Sequence, residues 1–244
     1  MSETSQVSEP YDQTFFNDQV PLSTSSAEAV VPAVLGLVQP ASVADVGCGV
    51  GTWLAAFKRA GVPEVHGFDG AYARSAGLMI DDAEFSAVDL TQPLQVDRKY
   101  DLAVSLEVGE HLPARAASVL VRSIVGLAPI VLFSAAFPGQ GGTHHVNEQW
   151  PTYWQSLFAE HDYAVLDPIR PLIWGNDRVA WWYRCNTYLY VDRAVLRQSA
   201  RLDELARGYA SNPLTLTHKK VMNRLAGSGR FAKYRSRIAL RLLG

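Results

Sequence analysis

The clearest pattern of hydrophobic and polar positions lies in the first third of the chain. An apolar run at residues 43–46 predicts a short, buried strand of the parallel type. A helical spacing of apolar residues at 53–60, closed by Gly61, predicts an amphipathic helix. A second apolar run at 65–68 predicts another strand, which ends on Asp69. Together they predict a βαβ unit with a turn at the carboxyl end of its first strand, where open α/β sheets bind ligands.

The rest of the pattern continues the alternation of strands and helices. Further strands are predicted at residues 85–88, 100–106, 130–133, 163–166 and 181–191, and helices at 27–38, 71–79, 113–125 and 151–158. Serines between residues 23 and 26 are expected to cap the first of these helices. The predicted fold class is therefore α/β, a doubly wound and mostly parallel sheet of seven strands.

Three glycines, Gly47, Gly49 and Gly51, follow the first predicted strand at alternate positions. Glycine lets the backbone turn and approach a ligand without a Cβ clash. The helix that follows offers backbone N–H groups at its N-terminus to a carboxylate or phosphate. A dinucleotide-binding loop would carry its third glycine where Thr52 stands. With Asp45 in front, the turn instead reads D-x-G-x-G-x-G, which resembles the first motif of class I S-adenosylmethionine (SAM) methyltransferases.

The resemblance implies cofactor-binding roles for Asp45, for the three glycines and for four residues further along the chain. In that family the helix end and the loop hold the methionine part of SAM. An acid at the end of the second strand, here Asp69, accepts the ribose hydroxyls. An acid after the third strand, here Asp89, accepts the adenine amino group, and the next apolar side chain, Leu90, packs on the ring. Glu107, after the fourth strand, lines the cofactor.

A group of acids and histidines follows predicted strands four and five. If Glu107 opens a helical turn, Glu110 and His111 lie on the same face as Glu107. His145 follows strand five, whose carboxyl end opens on the same crevice. Bringing two carboxylates and an imidazole together costs free energy unless a positive ion shares the site. Oxygen-rich ligands favour Mg²⁺ or Mn²⁺ as that ion.

The same residues resemble the Glu-x-x-Glu-His…His set of metal-dependent O-methyltransferases, which include small-RNA terminal 2′-O-methyltransferases and ubiquinone-pathway enzymes. The resemblance implies metal-ligand roles for Glu107, Glu110, His111 and His145. It also implies transfer of a methyl group to a hydroxyl whose pKa the cation lowers.

The candidate catalytic residues are His144, His145 and Glu148. His144 is the candidate base, with Glu148 or Asn147 to orient it or to contact the substrate. Two alternatives stay open. One is a metal-free O- or N-methyltransferase in which a histidine acts as a plain general base, and the other is a non-catalytic SAM-binding regulator.

Aromatic side chains are dense after the fifth predicted strand. Trp150, Trp154 and Trp174 are candidates for a substrate wall, whereas the aromatic residues at 181–190 suit the core. The expected acceptor is a small hydroxylated molecule, and a sugar or other diol suits a metal-chelating site. The acidic body of the chain argues against an RNA acceptor.

Composition adds expectations about organisation and location. The 244 residues, 48% of them hydrophobic, suffice for one α/β domain with appendages. We expect an N-terminal segment or lid at 1–22, a SAM-binding domain at 23–195 and a basic helical extension at 196–244. This tail could contact an anionic membrane surface, or it could be a solvated helix on the body. Two cysteines, no apolar leader and no run of transmembrane length favour the cytoplasm. A homodimer is an open alternative.

Overall fold

A single sheet of seven strands organises the computed structural model, which describes residues 13–209 and the side chains of residues 19–208. The strands are β1 (Ser42–Val46), β2 (Glu64–Asp69), β3 (Phe85–Ala87), β4 (Leu102–Leu106), β5 (Ile130–Ser134), β6 (Tyr163–Leu166) and β7 (Tyr188–Asp192). Their order is β3-β2-β1-β4-β5-β7-β6, and β7 is the one strand of this sheet that runs opposite to the other six. The predicted α/β class with a mostly parallel, seven-stranded sheet is confirmed.

Helices cover both faces of this sheet. They are α1 (Gln13–Leu37), α2 (Thr52–Arg59), α3 (Ala71–Ser75), α4 (Ala117–Leu127), α5 (Pro151–Ala159), α6 (Ile169–Ile173), α7 (Trp181–Asn186), α8 (Arg193–Gln198) and α9 (Ala200–Tyr209). Residues of α1, α2, α6 and α7 contribute to one hydrophobic core, and residues of α4 and α5 to the other.

Strand β1 lies in the middle of the sheet, and all five of its residues are buried. Its side chains alternate between the faces: Val43 belongs to the first core, and Ala44 and Val46 belong to the second. A strand covered on both faces reads as a continuous apolar run, which is why the sequence located it. The chain adds β2 and β3 on one side of β1, then crosses to β4 on the other. The strand order therefore reverses between β1 and β4.

The predicted strand at 181–191 is wrong in its first half. Residues Trp181–Asn186 form helix α7, and the strand begins only at Tyr188. An apolar, aromatic run fits a buried helix or a buried strand equally well by periodicity. Packing decides between the two, because α7 buries Tyr183 and Cys185 while β7 pairs with β5 and β6.

The predicted start of the first helix is also wrong. The helix begins at Gln13, so Ser23 and Ser26 lie inside it and do not cap it. Their hydroxyls donate to the carbonyls of Gln19 (3.0 Å) and Leu22 (2.7 Å) one turn earlier. Other expected helices differ in extent: α3 ends at Ser75, and α4 is preceded by a 3₁₀ turn at Ala114–Ala116.

Within the described residues, Gln19–Leu37 of α1 is long and apolar enough to cross a membrane, with a mean hydropathy of 1.3. The sequence expectation that no run has this length therefore needs correction. Length and composition are weak evidence for a span, because a core helix can meet the same criteria. Here Ala27, Val30, Val31 and Val34 are buried in the first core.

The proposed division into segments remains a prediction. Residues 13–22 of the expected N-terminal segment belong to α1, and residues 1–12 lie outside the described part. The start of the expected C-terminal extension contains the second half of α8 and all of α9. The basic tail from residue 210 onward lies outside the described residues.

Candidate active site

A crevice of about 270 Å³ opens at the carboxyl ends of the central strands. Its walls come from the turn after β1, from the ends of β2 and β4 and the residues after β3, and from α1 and α7. This is the point where the strand order reverses, which is the usual ligand site of an open α/β sheet.

The glycine turn after β1 forms one wall of the crevice. Gly47, Gly49 and Gly51 all have positive φ, of 84°, 53° and 85°. A Cβ on Gly47 would lie 2.3 Å from Cγ2 of Val108, so the turn and the residues after β4 approach each other only because this position is glycine. Gly47 and Gly49 line the crevice, whereas Gly51 lies behind them against Ile80. No side chain caps the N-terminus of α2 that follows.

Asp69 at the end of β2 is buried and lines the same crevice. Its Oδ2 accepts a hydrogen bond from the Gly49 N–H (2.6 Å), and its Oδ1 accepts from the Gly70 N–H (2.6 Å) and from the Tyr72 hydroxyl. Burial raises the pKa of Asp69, and these three donors oppose the rise. The carboxylate therefore joins the glycine turn to the end of β2, beside the space where a ribose is expected.

The other predicted cofactor residues lie in different surroundings. Asp45 is buried beneath the turn and is not among the crevice-lining residues. Burial, and then the charge of Asp69, raise its pKa well above the usual value. Asp89 and Leu90 line the crevice beyond β3. Asp89 is exposed, and its Oδ1 accepts hydrogen bonds from the Thr91 hydroxyl (2.7 Å) and N–H (2.9 Å), which lower its pKa.

Glu107 has a left-handed backbone with φ of 56° and lines the crevice just after β4. Its two carboxylate oxygens accept hydrogen bonds from the amides of Gln140 (2.6 Å) and Asn186 (3.2 Å). Asn186 also donates to Oε1 of Gln140 at 2.8 Å. Burial raises the pKa of Glu107, and the hydrogen bonds oppose this. Sequence reasoning missed both amides, since neither belongs to a motif and both are distant from Glu107 along the chain.

Beyond Glu107, the structure brings together three of the four predicted metal ligands. Ligand atoms of Glu110, His111 and His145 all lie within 4.8 Å of one another. The rings of His111 and His145 meet edge to face at 4.9 Å. Glu107 is outside this group, although its charge is close enough to raise the pKa of Glu110.

The Glu110 carboxylate is 0% exposed, and neither oxygen accepts a hydrogen bond of normal geometry from the described residues. Burial is the main cause of its strongly raised pKa, followed by the charge of Glu107. Burial and the neighbouring His145 also lower the pKa of His111, to about 4. Burying a carboxylate whose oxygens lack hydrogen bonds of normal geometry costs free energy, which a positive ion beside the two imidazoles would offset.

The loop after β5 carries His145 to this position because it is fixed to the turn after β4. The N–H groups of Val146 and Asn147 both donate to the carbonyl of Glu110, at 2.9 and 3.0 Å. The Asn147 side chain donates to the carbonyl of Gly109 at 3.3 Å. Two segments that are distant in the sequence are thus held side by side.

Glu148 orients His145. Its Oε1 pairs with Nδ1 of His145 at 3.0 Å, and its two oxygens accept from the N–H groups of Gly139 (2.7 Å) and Gly141 (2.6 Å). A bond to a carboxylate places the imidazole proton on Nδ1 and leaves Nε2 as the ligand or base. A Cβ on Gly142 would lie 2.2 Å from Nε2, so that glycine admits the ring.

His144, the predicted base, is close enough to His111 for its charge to lower the pKa of that ring. It is exposed, with φ of 54°, and Glu148 pairs with His145 instead. Of the three tryptophans expected to form a substrate wall, Trp154 is buried in the second core, and Trp150 is 47% exposed. Trp174 is half-buried and lines a separate groove described below.

These features define a class of protein. A class I methyltransferase has a seven-stranded sheet with one antiparallel strand and a crevice where the strand order reverses. It also has a glycine turn joined to an acid at the end of the next strand. All of these features are present here. The chain belongs to the methyltransferase-domain family, whose sequence profile matches residues 25–166. It is a SAM-dependent methyltransferase.

Solved structures share this fold. An O-methyltransferase family protein from Burkholderia thailandensis is 19% identical, with a TM-score of 0.52, over 74% of this chain and 59% of that one. DesVI from Streptomyces venezuelae is 16% identical, with a TM-score of 0.53, over 73% and 95%. Magnesium protoporphyrin IX methyltransferase from Synechocystis, solved with S-adenosylhomocysteine (SAH), is 18% identical, with a TM-score of 0.51, over 72% and 87%.

At these identities the likeness establishes the fold. The chain covers 59% of the length of the Burkholderia protein. The activity of that whole protein is therefore not assigned to this chain. No curated protein matches the chain significantly in sequence.

Proposed function

We propose that the protein transfers a methyl group from SAM to a hydroxyl of a small molecule, a sugar or other diol, with the assistance of a divalent cation. The candidate ligands are Glu110, His111 and His145, with Glu148 behind His145. The observation that carries the proposal is the Glu110 carboxylate, which is fully buried, has no hydrogen-bond partner of normal geometry and lies beside two imidazoles. The proposed site adjoins the cofactor crevice, since His111 also lines that crevice.

The donor set fits a cation. A metal ion would bind carboxylate oxygens that lack hydrogen bonds of normal geometry, and it would favour the ionised form of Glu110. The pair of Glu148 and His145 matches the usual support of a metal-binding histidine, whose second ring nitrogen donates to a carboxylate. When bound, such a cation lowers the pKa of a hydroxyl that it contacts.

The structure changes the expected preference among metals. Both oxygens of Glu107 already accept hydrogen bonds from amides, and Glu107 is outside the group of three. The remaining set has one carboxylate and two imidazoles, which suits Mn²⁺ or another ion that accepts nitrogen ligands better than Mg²⁺.

A metal-free version of the same reaction is the second candidate. The contact of 3.0 Å between Glu148 and Nδ1 of His145 is also the arrangement that a general base requires. In that version Nε2 of His145 takes the proton of the acceptor hydroxyl, and Glu148 stabilises the imidazolium that forms.

The test uses Glu110→Gln and His145→Ala, with His144→Ala as the matched control from the same loop. Turnover is measured with labelled SAM on a panel of sugars and catechols, with Mn²⁺, with Mg²⁺ and with EDTA, and SAH affinity is measured by calorimetry. We expect both site variants to lose turnover by about 100-fold or more while SAH affinity changes little, and the control to retain activity. Loss of SAH binding in both site variants would place these residues at the cofactor. Full activity in EDTA would select the metal-free base.

The other expectations remain predictions. Cell fractionation tests the cytoplasmic location, and light scattering tests the homodimer. Vesicle binding tests contact between the basic tail and a membrane surface. SAM binding without turnover on any hydroxylated acceptor would select the non-catalytic alternative.

A further inference from the structure

A second groove of about 1100 Å³ lies between α1 and the segment around α7. Its walls include the half-buried rings of Trp174, Trp181 and Trp182. Arg184 lines the same groove, although its side chain is only 5% exposed. An arginine this deeply buried is rare unless it is fully paired.

Arg184 is not fully paired within the described residues. Its Nη1 donates to the carbonyl of Trp174 (3.3 Å) and to Oδ1 of Asp177 (3.1 Å). The buried Nε has no hydrogen-bond partner. Asp177, the only carboxylate paired with Arg184 there, is 98% exposed, so solvent weakens that ion pair. A guanidinium has five N–H donors, and burying donors unpaired is costly.

The groove lies next to the cofactor crevice, because α1 and α7 contribute neighbouring residues to both. On α1, Gln19 and Ser23 line the crevice, while Leu22 and Ser25 line the groove. On α7, Tyr183 lines the crevice, and its neighbours Trp182 and Arg184 line the groove.

The groove is also close to the loop that carries His145. Trp181 contacts Phe137 edge to face at 6.5 Å, and Phe137 stacks on Trp150 at 6.3 Å. Trp150 directly follows that loop and precedes α5. A chain of aromatic contacts therefore runs from the groove to the start of α5, directly after the loop that carries His145.

We propose that this groove holds the acceptor, and that the acceptor carries an anionic group, a carboxylate or a phosphate, on its hydroxylated ring. The planar guanidinium of Arg184 suits either anion, because both can accept two parallel hydrogen bonds. The tryptophan rings provide flat apolar walls for the body of the ligand. This inference rests on the proposed hydroxyl methylation and narrows its substrate class to anionic hydroxylated molecules such as uronates or sugar phosphates.

The binding test uses three probes that differ at a single position: phenyl β-D-glucuronide, phenyl β-D-glucoside 6-phosphate and phenyl β-D-glucoside. The full chain is labelled with 5-fluorotryptophan, and ¹⁹F resonances are assigned with single Trp→Phe variants. We expect the anionic probes to shift the resonances of Trp174, Trp181 and Trp182 saturably, and to bind about tenfold or more tightly than the neutral glucoside. The glucuronide and the phosphate arms show which anion is preferred. Equal binding of all three probes, or no shift at these tryptophans, would overturn the inference.

Variants locate the anion contact. Arg184→Gln should remove the preference for the anionic probes, and Arg184→Lys should restore part of it. Arg178→Gln is the matched control, because Arg178 lines the same groove but is 62% exposed and pairs with Glu28 at 3.0 Å. Unchanged SAH affinity shows that each variant is folded. If Arg184→Gln keeps the anion preference, or if Arg178→Gln loses it equally, Arg184 is not the anion site.

The inference and the proposed function can fail separately. Anion-dependent shifts at the groove without methylation of any hydroxylated acceptor would support the groove and count against the proposed activity. Methylation of neutral acceptors that is unaffected by Arg184→Gln would support the activity and overturn the inference.

Discussion

The substitution Gly47→Ala tests whether the turn after β1 is built around the absence of a side chain. Gly47 has φ of 84°, and a Cβ there would lie 2.3 Å from Cγ2 of Val108. The left-handed backbone costs an alanine about 1–2 kcal/mol. Relieving the overlap with Val108 costs about 1–3 kcal/mol more, so we expect a loss of about 2–5 kcal/mol in the free energy of unfolding. The domain should still fold, given a typical stability of about 5–15 kcal/mol.

Gly61→Ala is the matched control for this variant. Gly61 also has a positive φ, of 97°, but nothing lies within 4 Å of its Cβ position. It should therefore show only the backbone cost of about 1–2 kcal/mol. Gly61 follows α2 and is not a crevice-lining residue, so SAH affinity should not change.

Urea unfolding and SAH calorimetry check both quantities. Gly47→Ala should weaken SAH by about tenfold or more, because the turn that lines the crevice must shift to admit the Cβ. The double variant Gly47→Ala/Val108→Ala should be more stable than the sum of its single variants predicts, since the colliding methyl groups are gone. Equal stability and equal SAH affinity for Gly47→Ala and Gly61→Ala would refute the reasoning.

Three further predictions follow from buried polar groups. Because its pKa is raised, Asp45 holds its proton to higher pH in the folded state than in the unfolded state, so stability falls as pH rises above about 4. Asp45→Asn should therefore stabilise the protein at neutral pH and reduce the loss of stability that begins as pH rises above about 4. Thermal unfolding across a pH series measures this, and an unchanged loss would contradict it. Glu148→Gln should lower turnover by about 10–100-fold with little change in SAH affinity, because His145 loses its orienting carboxylate, and unaltered turnover would count against that role. Asn186→Ala removes a hydrogen-bond donor from the Glu107 carboxylate and should lower the free energy of unfolding by about 1.5–3 kcal/mol, as measured in urea. A loss under about 0.5 kcal/mol would show that this hydrogen bond contributes little to stability.

Local sequence was sufficient where one continuous segment forms the structure. The strand β1, the turn, α2 and the strand ending on Asp69 follow each other along the chain, and each has its own signal of burial, glycine or helical spacing. The class of fold was predictable for the same reason, because repeated strands and helices give a doubly wound sheet.

Sequence was insufficient where an apolar run allows two structures. The sequence predicts a strand at residues 181–186, yet they form α7, because the helix buries Tyr183 beside the crevice and Cys185 in a cluster with Phe137. Similarly, Ser23 and Ser26 have the composition of a cap, but α1 continues through them. One face of that helix, with Val30 and Val34, is buried in the first core.

The amino-acid sequence by itself determined the cofactor half of this protein, since a glycine turn and an acid after the next strand act through short-range backbone geometry. Only the tertiary structure decided the arrangement of the proposed acceptor site. It separated Glu107 from the group of Glu110, His111 and His145, and it paired Glu148 with His145. It also buried Arg184 in a groove that three tryptophans line as well. Those contacts join segments from different loops and helices, and their free energies depend on burial and on partners that no local pattern records.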